Sequence, residues 1–421
     1  IMTDERTGPD DRAPADEVAP DSSQTTLAQE VANIGDPPAG RRGGTSLERR
    51  LWDIMSVPIA SIFLALIVGA VIITLSSVVV TGALDLTLWV DAYVALVEGG
   101  LGIGAANPQN ALTRTITNSA PLLLAGLSVA LGFKAGLFNI GANGQVIIGG
   151  LTAGIVGALV ATWVPILAIP AAVLAGAAAS FFYGFIPGFL KATTGAHEVV
   201  TTIMLNFIAG LLGSALVIEF FRAPGFSFDR TGEIINAALP VIFGRDLHLG
   251  VLLAYAFVPI TWWFVWKTTI GFEIRTVGAN PSAARYAGMS PRRLIILTMS
   301  LCGMLAGLAG VILMLGEIGF YPATFGTAIG FDAIAIALLG RSHPVGVMLG
   351  ALLFGFLRAG APLMQVRAGI PVEIIDILTA TILFFLAADI IVRRLFRIRA
   401  AGSGADQEQQ FTKSYGGGTA T

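Results

Sequence analysis

Residues Lys267–Arg293, KTTIGFEIRTVGANPSAARYAGMSPRR, form a long basic polar segment between runs of apolar sequence. Basic loops of membrane proteins stay mainly on the cytoplasmic side, so this segment is predicted to be cytoplasmic. Within it, Asn280 can cap a short helix that Pro281 opens and Gly288 closes, before Pro291 prevents its continuation. Such a helix is either a plain connector between spans or a docking helix for a soluble partner. The segment alone leaves both interpretations open.

The composition predicts a polytopic membrane protein. Of the 421 residues, 55% are hydrophobic and 12% charged, with 51 glycines and a mean hydropathy of +0.78, far from the values of soluble globular proteins. A net charge of -2 without a basic face argues against nucleic acid as a ligand. The single cysteine, Cys302, lies in an apolar run and predicts a small buried side chain. The three histidines lie far apart in the sequence, so no metal site is expected.

Three regions are predicted along the chain. Residues 1–46 combine scattered acids with Pro and Ser and contain no aromatic residue, which is typical of a disordered tail. Residues 47–399 contain the apolar segments and form the membrane domain. Residues 400–421 form a second polar, disordered tail. The N-terminal region lacks the short apolar core of a secretory signal, so the first span is expected to act as its own insertion signal.

The fold is predicted to be all-α, with about ten transmembrane helices. A bilayer core needs roughly 20 apolar residues per helix, and two of the segments are short. The predicted spans are 57–80, 115–133, 143–161, 164–190, 198–221, 249–266, 293–316, 327–340, 345–361 and 373–392.

The distribution of basic residues predicts that both termini are cytoplasmic. Threading the chain from a cytoplasmic N-terminus puts most of them inside, as the positive-inside rule requires. The inner ones are Arg41, Arg42, Arg49, Arg50, Lys134, Lys191, Lys267, Arg275, Arg285, Arg292, Arg293, Arg341, Arg393, Arg394, Arg397 and Arg399, and the outer ones are Arg114, Arg222, Arg230, Arg245, Arg358 and Arg367. Spans two to five and seven to ten then start from opposite sides, which indicates an inverted-topology repeat with a substrate path between its halves.

The first interruption of the apolar sequence is GLFNIGANGQ, residues 136–145. Its glycines and amides are incompatible with regular helix throughout, and irregular backbone at membrane depth is tolerated only inside protein or beside a water-filled cavity. Asn139, Asn143 and Gln145 are therefore candidate groups of a substrate path, with Phe138 as an aromatic neighbour for a flat cargo. Alternatively, the amides only cap the next span and hydrogen-bond to neighbouring helices.

A polar stripe opens the fifth predicted span. Glu198, Thr202 and Asn206 are four residues apart and share one helix face. In a membrane helix such a face borders a cavity or the bundle interior, so these residues are further candidates for the path. For Glu198 alone, a carboxylate at a positive helix terminus is the other explanation.

A second interruption lies between Phe325 and Gly355 and places Asp332 in apolar sequence ahead of a break at Arg341. Along one straight helix Asp332 and Arg341 would be about 13.5 Å apart, so each needs another partner or water. Asp332 is a candidate path residue or an interfacial one, and the break is a candidate for a tight cytoplasmic turn. No catalytic arrangement of side chains and no GxxxxGK[ST] phosphate loop occurs. A pump built on this chain would need its motor in another polypeptide.

Four motifs resemble, in order, those of ABC importer permeases of the branched-chain amino acid and ribose superfamily, most closely its nucleoside-type branch. They are GLFNIGANGQ, HEVVTTIMLNFIA, GFEIRTVGANPSAARYAGMSPRR and GFDAIAIALLGRSHPVGVMLGALLFGFLRAGA, and the resemblance covers roughly residues 50 to 395. It implies a bacterial plasma-membrane subunit that is not an enzyme and binds no cofactor itself. A cytoplasmic ATPase would use ATP and Mg, a second, related permease would complete a heterodimer, and an extracytoplasmic binding lipoprotein would deliver cargo.

The resemblance also assigns the coupling helix for the ATPase to the segment around 278–289. The residues concerned are Gly278, Asn280, Ser282, Ala283, Ala284, Arg285 and Gly288, and Ala283, Ala284 and Gly288 are expected to form a smooth docking surface. Many relatives have Glu at the position of Asn143, so selectivity for cargo is open at this point. Nucleosides are the expected cargo and a simple sugar such as ribose the alternative. An ion-coupled secondary transporter, with Asp332 or Glu198 cycling its charge, and a passive channel are rivals of other classes.

Overall fold

The computed structural model describes residues 47–103, 108–234, 237–244 and 246–396. Both predicted disordered tails, 1–46 and 400–421, lie outside these residues. The chain divides into two compact units, Ile1–Asp53 and Ile54–Thr421. Of the first unit only residues 47–53 are described, and they are helical; all other described elements begin or lie in the second unit.

Helices dominate the described residues, with one small two-stranded sheet between α6 and α7. The helices are α1 (Leu47–Thr81), α2 (Leu88–Leu101), α3 (Pro108–Lys134), α4 (Ala142–Trp163), α5 (Pro165–Thr194), α6 (Glu198–Phe220), α7 (Leu249–Lys267), α8 (Thr269–Ala279), α9 (Pro281–Tyr286), α10 (Pro291–Ile312), α11 (Ile329–Leu339), α12 (Pro344–Ala368), α13 (Ile374–Ala387) and α14 (Asp389–Leu395). A π-helical turn, Leu313–Ile318, continues α10. Strands β1 (Val241–Phe243) and β2 (Leu247–His248) pair antiparallel.

The prediction of an all-α polytopic membrane protein is confirmed. Eight described helices are long and apolar enough to cross a membrane: α1, α3, α4, α5, α6, α7, α10 with its π-helical turn, and α12. Two predicted spans are shorter than expected. Helix α11 has 11 residues, about 16 Å at 1.5 Å per residue, which is too short to cross a bilayer. The last predicted span is divided into α13 and α14, and the short apolar helix α2 was not predicted.

Close backbone contacts build the centre of the bundle, where α10 packs against α5, α4 and α3. A Cβ atom added at Gly149 of α4 would lie 2.3 Å from the carbonyl oxygen of Gly307 in α10. One added at Gly303 would lie 2.2 Å from the carbonyl oxygen of Ser180 in α5. Small residues at helix crossings allow this approach in membrane proteins. Helices α3 and α10 are central, with 83% and 72% of their most apolar windows buried, against 22% and 17% for α5 and α6.

The bundle has two distinguishable ends. At the basic end, the Lys134 ammonium lies 5.8 Å from the ring centroid of Trp266, whose ring is 5.3 Å from that of His343. At the opposite end, the loop after α6 packs against the segment after the π-helical turn. Thr231 N–H donates to Tyr321 O at 2.9 Å there, and Tyr321 N–H donates to Thr231 Oγ1 at 3.0 Å.

Candidate functional site

The loop between α3 and α4 is held together by an amide pair. Asn139 Nδ2 donates to Gln145 Oε1 at 2.9 Å, and Gln145 Nε2 donates back to Asn139 Oδ1 at 3.3 Å. Asn139 is fully buried and Gln145 is 1% exposed. Because each amide satisfies the other, these two residues stabilise the irregular backbone and do not border an open cavity in this conformation. Phe138 packs against Phe133, with ring centroids 5.3 Å apart.

Asn206 of α6 binds the same loop to α6 through two hydrogen bonds. Its Oδ1 accepts from Gly144 N–H at 2.7 Å, and its Nδ2 donates to Ile140 O at 3.0 Å. The Asn206 side chain thus bonds to one carbonyl just before α4 and to one of the first N–H groups of α4, which lack partners within the helix. The sequence signal for this contact was the polar stripe on α6.

The other two members of that stripe are buried. Thr202 is fully buried, and its hydroxyl donates to Glu198 O at 2.7 Å. Glu198 is 5% exposed and forms an ion pair with Lys191 Nζ at 2.5 Å. A Cβ atom added at Gly141 would lie 3.0 Å from Thr202 Cβ. The two predicted sets of residues are therefore adjacent, and in this conformation they pack against each other.

Asn143 joins the first interruption to the second. Its Oδ1 accepts from Gly330 N–H at 3.3 Å, and a Cβ atom added at Gly330 would lie 2.1 Å from Asn143 N. Asn143 lies in the first turn of α4 and Gly330 in the first turn of α11. Two helix N-termini that are far apart in the sequence therefore meet at backbone distance. Their dipoles point positive ends toward the same place.

Asp332, in the first turn of α11, forms an ion pair with Arg358 of α12. Arg358 lies within α12, which continues past the end of the predicted span 345–361 to Ala368. Arg358 is about 21 Å from the start of α12 at Pro344, by helical rise. Its charge is tolerated within the helix because the Asp332 carboxylate neutralises it. The sequence signal was the lone charge within GALLFGFLRAGA, residues 350–361.

Glu317 is a further charged residue near this pair, and the predicted span 293–316 stopped just before it. It belongs to the π-helical turn, and its side chain is exposed. The charged groups that act on it electrostatically are Arg358, Asp246 and Arg114. We refer to Glu317, Asp332 and Arg358 as the charged triad.

The capped helix in the basic segment is confirmed as α9. Asn280 Oδ1 accepts from Ser282 N–H at 3.0 Å and from Ala283 N–H at 3.1 Å. Pro281 occupies the first helical position. The chain leaves the helix through Gly288, whose φ of 81° is in the left-handed region that favours glycine.

The surface of α9 differs from the expected one. Ala284 is fully buried in a cluster with Ala135, Leu137 and Val277, so it seats the helix and is not part of its outer face. The exposed side chains of α9 belong to Pro281, Ser282, Ala283, Arg285 and Tyr286. Tyr286 is 94% exposed, and sequence reasoning did not single it out. An exposed tyrosine on a capped helix is a natural docking group.

Two further features connect this end of the bundle to the loop after α3. A Cβ atom added at Gly278 would lie 2.2 Å from Lys134 O, so the end of α8 contacts the chain directly before the loop. Beside α9 a cavity of about 330 Å³ is lined by Ile270, Glu273, Gly288, Met289, Ser290, Arg293, Leu294 and Leu297.

Burial, together with the nearby charge of Lys134, lowers the pKa of His343. Within the described part of the chain, no group of three or more His, Cys, Asp or Glu residues could hold a metal ion.

Eight apolar helices around two polar interruptions define a multi-pass membrane protein. A family model described as "Branched-chain amino acid transport system / permease component" matches residues 111–387, so the chain belongs to this family. It is a transport subunit of the bacterial cell membrane and not an enzyme. No solved structure matches the chain significantly.

Three relatives illustrate the similarity. The guanosine ABC transporter permease protein NupP of Bacillus subtilis is 38% identical over 354 residues, covering 82% of this chain and 96% of the relative. The nucleoside ABC transporter permease protein NupB of Lactococcus lactis is 37% identical, covering 69% and 83%. The glucose ABC transporter permease protein TsgB13 of Haloferax volcanii is 34% identical, covering 80% and 87%. The first two organisms each have a second, more distant relative, NupQ and NupC, both 28% identical to this chain.

Proposed function

We propose that this chain is the membrane-spanning subunit of an ATP-driven importer of nucleosides. The observation that carries the proposal is the 38% identity to a guanosine permease over 96% of that relative's length. The joined interruptions at Asn143 and Gly330, with the charged triad nearby, supply the polar groups that an uncharged cargo with several hydrogen-bonding groups needs.

The proposed assembly has four kinds of component. A second permease pairs with this chain, which is supported by the paired relatives in two organisms. A cytoplasmic ATPase uses ATP and Mg, and an extracytoplasmic lipoprotein delivers the cargo. The basic end of the bundle faces the cytoplasm, where α9 meets the ATPase through Arg285 and Tyr286.

The contacts of α9 suggest how force would reach the path. Movement of α9 would pass through Ala284 to Ala135 and Leu137, and through the close contact of Gly278 with Lys134 O. These residues directly precede the loop that Asn206 ties to α6. A shift of the loop would displace Asn143 from Gly330 and separate the N-termini of α4 and α11. Closely packed contacts of this kind favour rigid-body transmission.

A simple sugar is the second candidate cargo, because a glucose permease is 34% identical to the chain. The secondary-transporter reading loses support from the geometry, since the two carboxylates it would use are both paired: Asp332 with Arg358 and Glu198 with Lys191. A carboxylate that cycles its charge would have to exchange such a partner at each turnover.

Deleting the gene for this subunit tests the proposed cargo. The strain is expected to lose high-affinity uptake of purine or pyrimidine nucleosides while leucine and ribose uptake continue, and a plasmid copy should restore it. Loss of ribose uptake with intact nucleoside uptake would contradict the nucleoside assignment and leave the permease assignment in place.

A further inference from the structure

An apolar cavity of about 190 Å³ lies between α1, α2, α12 and α13. Its lining includes Ala65 of α1, Leu96 and Val97 of α2, Leu357 of α12 and Leu378 of α13. The surface that these helices present to the cavity is entirely apolar. Water finds no hydrogen-bond partner in such a space, and an apolar cavity of about 150 Å³ stays dry and binds small apolar guests. The cavity therefore suits an apolar guest.

The cavity exists because α1 stands away from its neighbours. Helix α1 makes few close backbone contacts with the other described helices, whereas α2 packs tightly on α12. A Cβ atom added at Gly360 of α12 would lie 2.2 Å from Leu96 O of α2. Beside the cavity, Tyr93 Oη donates to Leu66 O of α1 at 2.7 Å, and a Cβ atom added at Gly69 would lie 2.5 Å from the same Tyr93 Oη. The space is therefore a gap between helices that are held in place by these contacts.

The cavity is partly open, and its rim lies on the membrane-facing surface of the bundle. Val97, in the lining, is 39% exposed. On α1, Phe63 and Ile67 directly follow the lining residues Ile62 and Leu66, and they are 53% and 45% exposed. Because α1 is long and apolar enough to cross the membrane, these exposed side chains lie among lipid tails. Acyl chains are thus the molecules that surround the rim.

We infer that this cavity binds one acyl chain of a membrane phospholipid, which fills the gap beside α1. A peptide segment or a nucleoside would lose hydrogen bonds against the apolar lining, because backbone amides and sugar hydroxyls find no partner there. An acyl chain carries no such groups. It also supplies the dispersion contacts that an unfilled gap lacks. The guest thereby joins α1 to α2, α12 and α13.

The test maps the contacts of lipid tails on the full chain in lipid nanodiscs. The probe is a phosphatidylcholine that carries a photoactivatable diazirine near the middle of one acyl chain, and its adducts are located by digestion and mass spectrometry. Leu96, Leu357 and Leu378 are 3%, 4% and 1% exposed, so lipid on the outer surface of the bundle does not explain adducts on them. In the wild type we expect adducts on these three leucines as well as on exposed side chains such as Phe63.

Two variants of α1 separate the cavity from the outer surface. Ala65→Phe places a ring in the cavity and is expected to reduce the adducts on the three leucines about tenfold, the effect of losing the burial of about two methylene groups of the guest. Val71→Phe enlarges a side chain that is 54% exposed and lies outside the lining, so the adducts should stay unchanged. Adducts on Phe63 serve as the internal reference in both variants.

A wild type without adducts on the three leucines would overturn the inference, and so would undiminished adducts in a folded Ala65→Phe variant. If Ala65→Phe does not fold, Leu96→Phe fills the same space from α2, and the adducts on Leu357 and Leu378 give the same comparison. Adducts that disappear when the proposed second permease is added would assign the gap to that partner and contradict a lipid guest. The measurement requires no transport, so its outcome is independent of the proposed cargo.

Discussion

At the scale of single residues, the ion pair of Asp332 and Arg358 joins two largely buried charges on different helices. The Asp332 side chain is 11% exposed and that of Arg358 31%. Desolvating two charges is costly, and their attraction compensates only while both are present. The pair is therefore expected to matter for positioning α11 against α12 more than for net stability.

The difference between removing one charge of the pair and removing both gives a testable prediction. Arg358→Gln leaves the Asp332 carboxylate buried without a counter-ion and is expected to destabilise the protein by about 3–5 kcal/mol. Asp332→Asn leaves the more exposed partner alone and should cost less. The double variant should recover part of the loss, because no charge then remains buried. Thermal unfolding of the purified subunit in detergent measures the three effects. A double variant as unstable as Arg358→Gln would show that the two charges are not coupled.

At the scale of elements, α9 is a six-residue helix that could not persist alone. The Asn280 cap and the burial of Ala284 hold it in place. Its two faces therefore have separate roles: one seats the helix on the loop after α3, and the other is exposed. Substitutions on the two faces are expected to fail in different ways.

Arg285→Glu and Tyr286→Ala change only exposed side chains. Each is expected to reduce cargo-stimulated ATP hydrolysis at least tenfold and to leave the unfolding temperature unchanged, because a docking contact is lost without any change in packing. Ala284→Asp should instead lower the unfolding temperature, since it places a carboxylate in an apolar cluster.

The exposed Ser282→Ala in the same helix serves as a control and is expected to behave like the wild type. Normal ATPase stimulation in well-inserted Arg285→Glu and Tyr286→Ala variants would argue that α9 is only a connector between spans.

At the scale of the whole molecule, the orientation in the membrane decides which partner meets which end. Ser282 lies beside the basic end, and Ser227 lies in the loop after α6 at the opposite end; both are exposed. Because basic residues are retained in the cytoplasm, the end that carries Lys134 and Lys267 is expected to face inward.

Single cysteines at these two positions test the orientation in a Cys302→Ala background, where the buried native thiol has been removed. A membrane-impermeant maleimide added to intact cells should label Ser227→Cys and should reach Ser282→Cys only after the membrane is opened. The reverse pattern would place α9 outside the cell and exclude contact with a cytoplasmic ATPase.

The sequence alone was sufficient for features that depend on local chemistry. Apolar runs of bilayer length predicted most spans, since hydrophobic length is a property of each segment by itself. The cap at Asn280 and the turn at Gly288 were predictable for the same reason: both depend on hydrogen bonds and backbone angles within a few residues. The four ordered motifs also pointed to the permease family, which the match to residues 111–387 confirms.

Only the tertiary structure decided which polar groups satisfy one another. The partner of Arg358 was not predicted, because Asp332 comes from another helix. The sequence left open whether Asn139 and Gln145 border a path or only form hydrogen bonds within the protein, and in the structure the two amides bond to each other. Ala284 was predicted to lie on the docking surface, whereas in the structure it is buried against Ala135 and Leu137. In each case the decisive contact joins residues whose approach depends on how the helices pack, and hydrophobic pattern does not encode the partner of a polar group.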